Sequence, residues 1–180
     1  MKLISLLEKL EYTCLQGSTD QEVKNVIYDS RKVEEGSLFI CIRGAVVDGH
    51  KFVPDVVAKG AKVLIVEEAV EAPEDVTVIL VKDTRYAMAF ISAAYFGYPA
   101  EKLKTIGITG TKGKTTTTYM VKSILENAGY KVGLIGTIEA IIGDKVIPAK
   151  NTTPESYMIQ EYFHEMVEAG CDCVVMEVSS

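Results

Sequence analysis

Apolar positions in the first hundred residues fall into short clusters set apart by polar turns. Asn25–Tyr28, Leu38–Ile42, Lys62–Glu67 and Val76–Val81 are four- to six-residue runs of strand length and composition. A short apolar stretch, Leu3–Leu10, and the segment Phe52–Lys59 carry helical spacing instead. A longer, mostly apolar helix is predicted from Asp83 or Thr84, either of which can cap it, to Phe96. Gly97-Tyr98-Pro99 ends that helix and puts a domain boundary near residue 100.

Beyond the boundary strand and helix alternate. Strand Thr105–Thr109 precedes a helix over 116–128, whose Met120, Val121, Ile124, Leu125 and Ala128 fall on one face. Gly129 stops it, and strand Lys131–Ile135 follows. Ile138–Ile142 and Lys145–Ile147 flank Gly143-Asp144, a hairpin signal. A third helix, Glu155–Ala169, places Ile159, Tyr162, Phe163, Met166 and Val167 on one stripe, and an apolar strand begins at Cys173. This order predicts an α/β fold, with a small α/β domain over 1–100 and the start of a parallel-sheet, phosphate-loop domain over 101–180. An apolar strand so close to Ser180 leads us to expect a fragment of a longer protein.

Composition narrows the function. Of 180 residues 48% are hydrophobic, enough for packed cores, and the formal charge is −6. No basic patch accompanies that charge, so nucleic acid is not an expected partner. Glu8 and Lys9 interrupt the only apolar N-terminal stretch, and no run approaches a membrane span, so no membrane partner and a cytoplasmic location are expected. Cys14, Cys41, Cys171 and Cys173 are then expected to be buried or half-buried thiols. His50 has no ligand partner at metal spacing and is expected at the surface or in a cap.

Chemistry concentrates in a few stretches. Gly110-Thr111-Lys112-Gly113-Lys114-Thr115-Thr116 stands between a strand and a helix. There, glycines let backbone N–H groups turn toward a polyphosphate, Lys114 reaches the outer phosphates and Thr115 binds Mg²⁺. The position five before Gly113 is Ile108 rather than glycine, so the usual pattern is incomplete. Glu177, at the tip of the last strand, is a second candidate for Mg²⁺ or for orienting water. Asn151-Thr152-Thr153-Pro154 reads either as a capped helix start, with Thr153 as N-cap and Pro154 in the first helical position, or as a polar substrate site. Asp29-Ser30-Arg31 and Gly44–His50 follow strands and sit where ligands bind in open α/β sheets; the first could equally be a turn closed by an Asp29–Arg31 pair.

Taken together and in order, these motifs resemble the Mur ligase family. Asp29-Ser30-Arg31, Gly36-Ser37-Leu38-Phe39, Asp48-Gly49-His50-x-Phe52 and Gly60-Ala61 resemble its uridine-nucleotide domain, and Gly110–Thr116 its ATP loop. Asn151-Thr152-Thr153-Pro154 and Met176-Glu177-Val178-Ser179-Ser180 resemble the N-terminal part of the member that extends UDP-MurNAc-L-Ala-D-Glu by a diamino acid. Lys112 stands where the family more often has Asn.

The resemblance implies a monomeric, cytoplasmic, ATP-dependent amide ligase of peptidoglycan synthesis. ATP phosphorylates the D-glutamate carboxylate, and the amine of meso-diaminopimelate, or of L-lysine, then displaces phosphate. It implies that Tyr28, Ser30, Ala45, Val46 and Val47 contact the UDP-sugar, and that Asn151, Thr152, Thr153 and Ser179 hold the muramoyl-dipeptide. Gly110 through Thr116 hold ATP, Thr115 and Glu177 serve Mg²⁺, and Lys114 and Glu177 are the catalytic pair. The remaining metal-site residues, a modified lysine and the amino-acid site are implied beyond Ser180, so the 180-residue chain is expected to be inactive alone. A non-catalytic module that binds nucleotide or UDP-sugar is the alternative.

Overall fold

The structure, a computed structural model, describes residues 1–44 and 47–179. The chain divides into two compact units, Met1–Tyr95 and Phe96–Ser180.

The first unit runs α1 (Leu3–Leu6), β1 (Thr13–Gln16), β2 (Asn25–Ile27), β3 (Ser37–Ile40), α2 (Val53–Ala58), β4 (Val63–Val66), β5 (Thr77–Leu80) and α3 (Thr84–Tyr95). Its sheet has the order β1-β5-β4-β3-β2, with β2 to β5 parallel and β1 antiparallel on β5. Every residue of β3 and β4 is buried, the pattern of parallel strands covered on both faces. Phe39, Leu64 and Val78 pack there against Val53 and Val56 of α2. Asp83 caps α3, its carboxylate accepting the Arg85 and Tyr86 amides at 2.8 and 2.9 Å. Tyr98, with φ 53°, turns the chain left-handed soon after that helix.

Two expectations change here. The first helix stops at Leu6 because Leu3, Leu6 and Leu7 complete its buried face while Glu8 and Lys9 are exposed. A helix so short is held by packing rather than by propensity. The edge strand β1 escaped the pattern altogether, since its residues are exposed or half-buried and show no alternation.

The second unit runs β6 (Lys104–Ile108), α4 (Lys114–Asn127), β7 (Val132–Ile135), β8 (Glu139–Ile142), β9 (Lys145–Pro148), α5 (Ser156–Glu168) and β10 (Cys173–Glu177). The sheet order is β6-β10-β7-β8-β9. β6, β10 and β7 are parallel, while the Gly143-Asp144 hairpin appends β8 and β9 antiparallel, so the sheet is mixed. β10 slots between two strands that precede it in the chain. Its register sets Glu177 beside Ile108 and Met176 beside Ile135. The carboxyl ends of three strands therefore meet on one edge, the usual ligand side of such a sheet.

On α5, Tyr162, Phe163 and Met166 are buried against Ile135, Ala140, Ile142 and Val174, as the stripe predicts. Gly133 in β7 admits this helix, because a Cβ there would collide with the Met166 side chain. On α4 the buried stripe is narrower than expected. Val121 and Leu125 pack against Val132, Cys173 and Val175, whereas Met120 and Ile124 are 60% and 65% exposed and Ala128 is exposed. Cys41, Cys171 and Cys173 are buried thiols, and burial pushes Cys41 up to about 12; Cys14 is exposed, contrary to expectation. No described helix is long and apolar enough to cross a membrane.

Candidate functional site

β6 ends at Ile108, and the backbone then makes the turns that glycine permits: Gly110 has φ 145° and Gly113 φ 78°. Gly113 caps α4, which begins at Lys114 rather than at Thr116. The first N–H groups of that helix have no acceptor within it and carry its positive end, so they form an anion seat. The Lys114 ammonium donates to the Gly110 carbonyl at 2.7 Å, spanning the loop from its helical to its strand side. Thr118 is buried and donates to the Lys114 carbonyl at 2.7 Å, fixing the first turn. Thr111 and Lys112 lie exposed on the loop, and Thr116 is exposed in the first turn of α4.

Glu177 is the hub of the second unit. It is 1% exposed at the end of β10. One carboxylate oxygen accepts the Thr115 hydroxyl at 3.1 Å and the Thr137 hydroxyl at 3.0 Å; the other accepts the Thr137 amide at 2.9 Å. All three donors are neutral. The Thr115 hydroxyl and the Glu177 carboxylate are the oxygens at this point that could hold a cation. The backbone carbonyl of Glu177 accepts the Thr153 hydroxyl at 3.0 Å, and Thr153 Oγ1 in turn accepts the Ser179 amide at 2.9 Å. Thr152 Oγ1 lies 3.1 Å from Thr137 Oγ1.

Of the two readings of Asn151–Pro154, the helix-capping one fails. Glu155 is the N-cap of α5 and makes no side-chain cap bond, and Pro154 lies outside the helix. Thr153 spends its hydroxyl on the strand end instead. Asn151 is exposed and lines, with Gly136, Pro154, Met158 and Tyr162, a mostly apolar cavity of about 220 Å³. The sequence-predicted Gly110–Thr116, Thr152, Thr153, Glu177 and Ser179 therefore converge on one sheet edge.

Two neighbours escaped sequence reasoning. Thr137 touches Glu177 through both its amide and its hydroxyl. Gly136 is so close that a Cβ would stand 2.6 Å from the Glu177 carboxylate. The available signal was position: Gly136-Thr137 directly follows β7, at the same edge as the phosphate loop.

In the first unit Tyr28 and Ser30 are half-buried just past β2. Asp29 closes the turn through two bonds from the Arg31 guanidinium, at 2.9 and 2.7 Å, and one from its amide. The side-chain bond from Arg31 holds the Asp29 carboxyl down at about 2. Lys59 donates to the Ser30 carbonyl at 3.0 Å. Val47 is exposed; Ala45 and Val46 lie outside the described residues. His50 is buried rather than superficial: Nδ1 is 2.6 Å from Asp48 and Nε2 accepts the Glu67 amide at 2.9 Å. That pairing requires the neutral ring with its proton on Nδ1.

Known proteins match both units. Residues 22–96 match the family model "Mur ligase family, catalytic domain" and residues 108–180 match "Mur ligase middle domain". The chain belongs to the Mur ligase family. The whole chain is 54% identical to the UDP-N-acetylmuramoyl-L-alanyl-D-glutamate–2,6-diaminopimelate ligase of Clostridium perfringens, covering 37% of that protein. It is 49% identical to the ligase of the same name from Clostridium tetani, covering 38%. A solved structure of a ligase with that name superposes at TM-score 0.79 over 99% of this chain and 36% of its own, at 22% identity. The chain thus spans rather more than a third of the length of these Mur ligase relatives.

Proposed function

We propose that this chain supplies the uridine-nucleotide and ATP sites of a cytoplasmic ligase that adds meso-diaminopimelate to UDP-MurNAc-L-Ala-D-Glu. The observation that carries the proposal is the convergence at Glu177 of the phosphate loop, through Thr115, with the Asn151–Thr153 segment, through Thr153. A nucleotide seat and a candidate substrate seat share one buried carboxylate. The names of the relatives favour diaminopimelate over L-lysine as the amino acid.

The residues fit a divalent cation. The Thr115 hydroxyl and the Glu177 carboxylate are hard oxygens 3.1 Å apart, suited to Mg²⁺ that keeps several waters. Thr115 and Glu177 would hold it, and when bound it supplies neutralisation between the phosphates and an approaching carboxylate. The other roles fall to the chain itself. The loop amides from Gly110 to Thr116 seat the phosphates. Lys114 leaves the Gly110 carbonyl for the outer phosphates. Asn151, Thr152, Thr153 and Ser179 orient the dipeptide carboxylate, so that acyl-phosphate formation becomes a matter of positioning. Tyr28, Ser30 and the loop that includes Ala45, Val46 and Val47 hold the UDP end.

Calorimetric titration of the protein with ADP in excess magnesium, and separately with UDP-MurNAc-L-Ala-D-Glu, tests this. Lys114→Ala is expected to weaken ADP binding by at least about tenfold, the loss of one charge-assisted contact, and to leave the UDP ligand unaffected. Unchanged ADP binding in Lys114→Ala would refute the loop assignment.

A further inference from the structure

Among the described residues, Thr137 is the one that hydrogen-bonds both oxygens of the Glu177 carboxylate, with its amide on Oε1 at 2.9 Å and its hydroxyl on Oε2 at 3.0 Å. The Oε2 atom is also the one facing Thr115. We propose that Thr137 is a positioning residue: it fixes the orientation of the Glu177 carboxylate so that Oε2 points at the Thr115 hydroxyl and can share a divalent cation with it. This rests on the nucleotide and magnesium reading given above.

The segment that carries Thr137 is built to stay put. The Gly136 amide donates to the Glu139 carbonyl at 3.0 Å, closing a tight turn between β7 and β8. The Glu139 side chain is anchored in turn by the Tyr119 hydroxyl of α4 at 2.7 Å. Burial, and then the hydrogen bond to Glu139, push that phenol up to about 12, so it remains a donor throughout the neutral range. Gly136 presses against the carboxylate so closely that no side chain fits between them. The turn and α4 thus both reach Glu177 at the end of β10, the turn through Thr137 and the helix through Thr115. On the far side, Thr137 Oγ1 lies within hydrogen-bond distance of Thr152 Oγ1, so the same hydroxyl reaches the Asn151–Thr153 segment. Partners behind a metal ligand commonly contribute 10–100-fold to metal affinity.

The Thr137→Val variant keeps the amide bond and the shape but deletes the hydroxyl; Thr137→Ser restores it. ADP affinity of each protein is measured by calorimetry in excess magnesium and again in EDTA. The expected result is that Thr137→Val loses about tenfold of the magnesium-dependent gain in ADP affinity with its EDTA affinity unchanged, while Thr137→Ser behaves as wild type. A full magnesium gain in Thr137→Val would overturn the proposal. So would an equal loss in Thr137→Ser, or a parallel loss in EDTA, either of which would mark a merely structural residue. If the wild-type protein shows no magnesium gain at all, the metal reading itself fails, a result separate from any difference among the variants.

Discussion

Single residues in this chain acquire meaning from what faces them. Asp29 is the clearest titratable case. Arg31 holds its carboxyl at about 2, below the ordinary carboxylate value of about 3.9. A folded-state value depressed in this way stabilises the protein above the unfolded value, and that contribution disappears as pH falls through the folded one. Stability is therefore expected to fall between about pH 4 and pH 2 by a component that Asp29→Asn lacks; acid unfolding of both proteins, with the Asp29 carboxyl followed by NMR, checks it. A flat difference between the two curves, or a midpoint near the ordinary value, would remove Arg31 as the cause. Asp29 and Arg31 were legible as a pair two residues apart. His50 was not, because its decisive partner is the Glu67 backbone amide, a group every residue carries. Thr137 was hidden for a related reason: it meets Glu177 forty residues away, and only the insertion of β10 beside β7 brings them together.

Elements were easier to find than their faces. Apart from the edge strand β1, the strands of both sheets, the three long helices and the Gly143-Asp144 hairpin followed from period and turn chemistry; buried parallel strands such as β3 and β4 are apolar along their whole length. The face of α4 was overdrawn: of its predicted stripe Val121 and Leu125 pack on the sheet while Met120, Ile124 and Ala128 stay exposed, so helical spacing alone overstated the buried width. The start of α5 misled in another way. Thr153-Pro154 has the chemistry of a helix cap, yet the threonine bonds to the end of β10, a tertiary partner outbidding a local one. The turn between β7 and β8 gives the sharpest test at this scale. Gly136→Ala would place a Cβ 2.6 Å from a carboxylate oxygen already held by the Thr137 amide. Overpacking of this kind destabilises by about 1–3 kcal/mol. The expected outcome is a lower melting temperature together with a reduced magnesium effect on ADP binding. A variant as stable as wild type would mean that the turn yields freely.

Across the whole molecule, each unit encloses its own buried cluster: Phe39, Val56, Leu64 and Val66 in one, Tyr162, Phe163, Met166 and Val174 in the other. Each unit also carries its own candidate ligand site, the Asp29–Arg31 edge in the first and the phosphate loop in the second. A ligand stabilises only the cooperative unit that binds it, by about 2.7 kcal/mol when present at one hundred times its dissociation constant. Calorimetric unfolding is therefore expected to resolve into two components. ADP with magnesium should raise the one belonging to residues 96–180, UDP should raise the one belonging to residues 1–95, and Lys114→Ala should abolish the first shift alone. The dipeptide end of UDP-MurNAc-L-Ala-D-Glu supplies a built-in refinement. If Asn151, Thr152, Thr153 and Ser179 hold it, that ligand raises both components, whereas UDP alone raises one. A single transition that moves as a whole with either ligand would show that the two cores unfold together and that the sites are coupled through them.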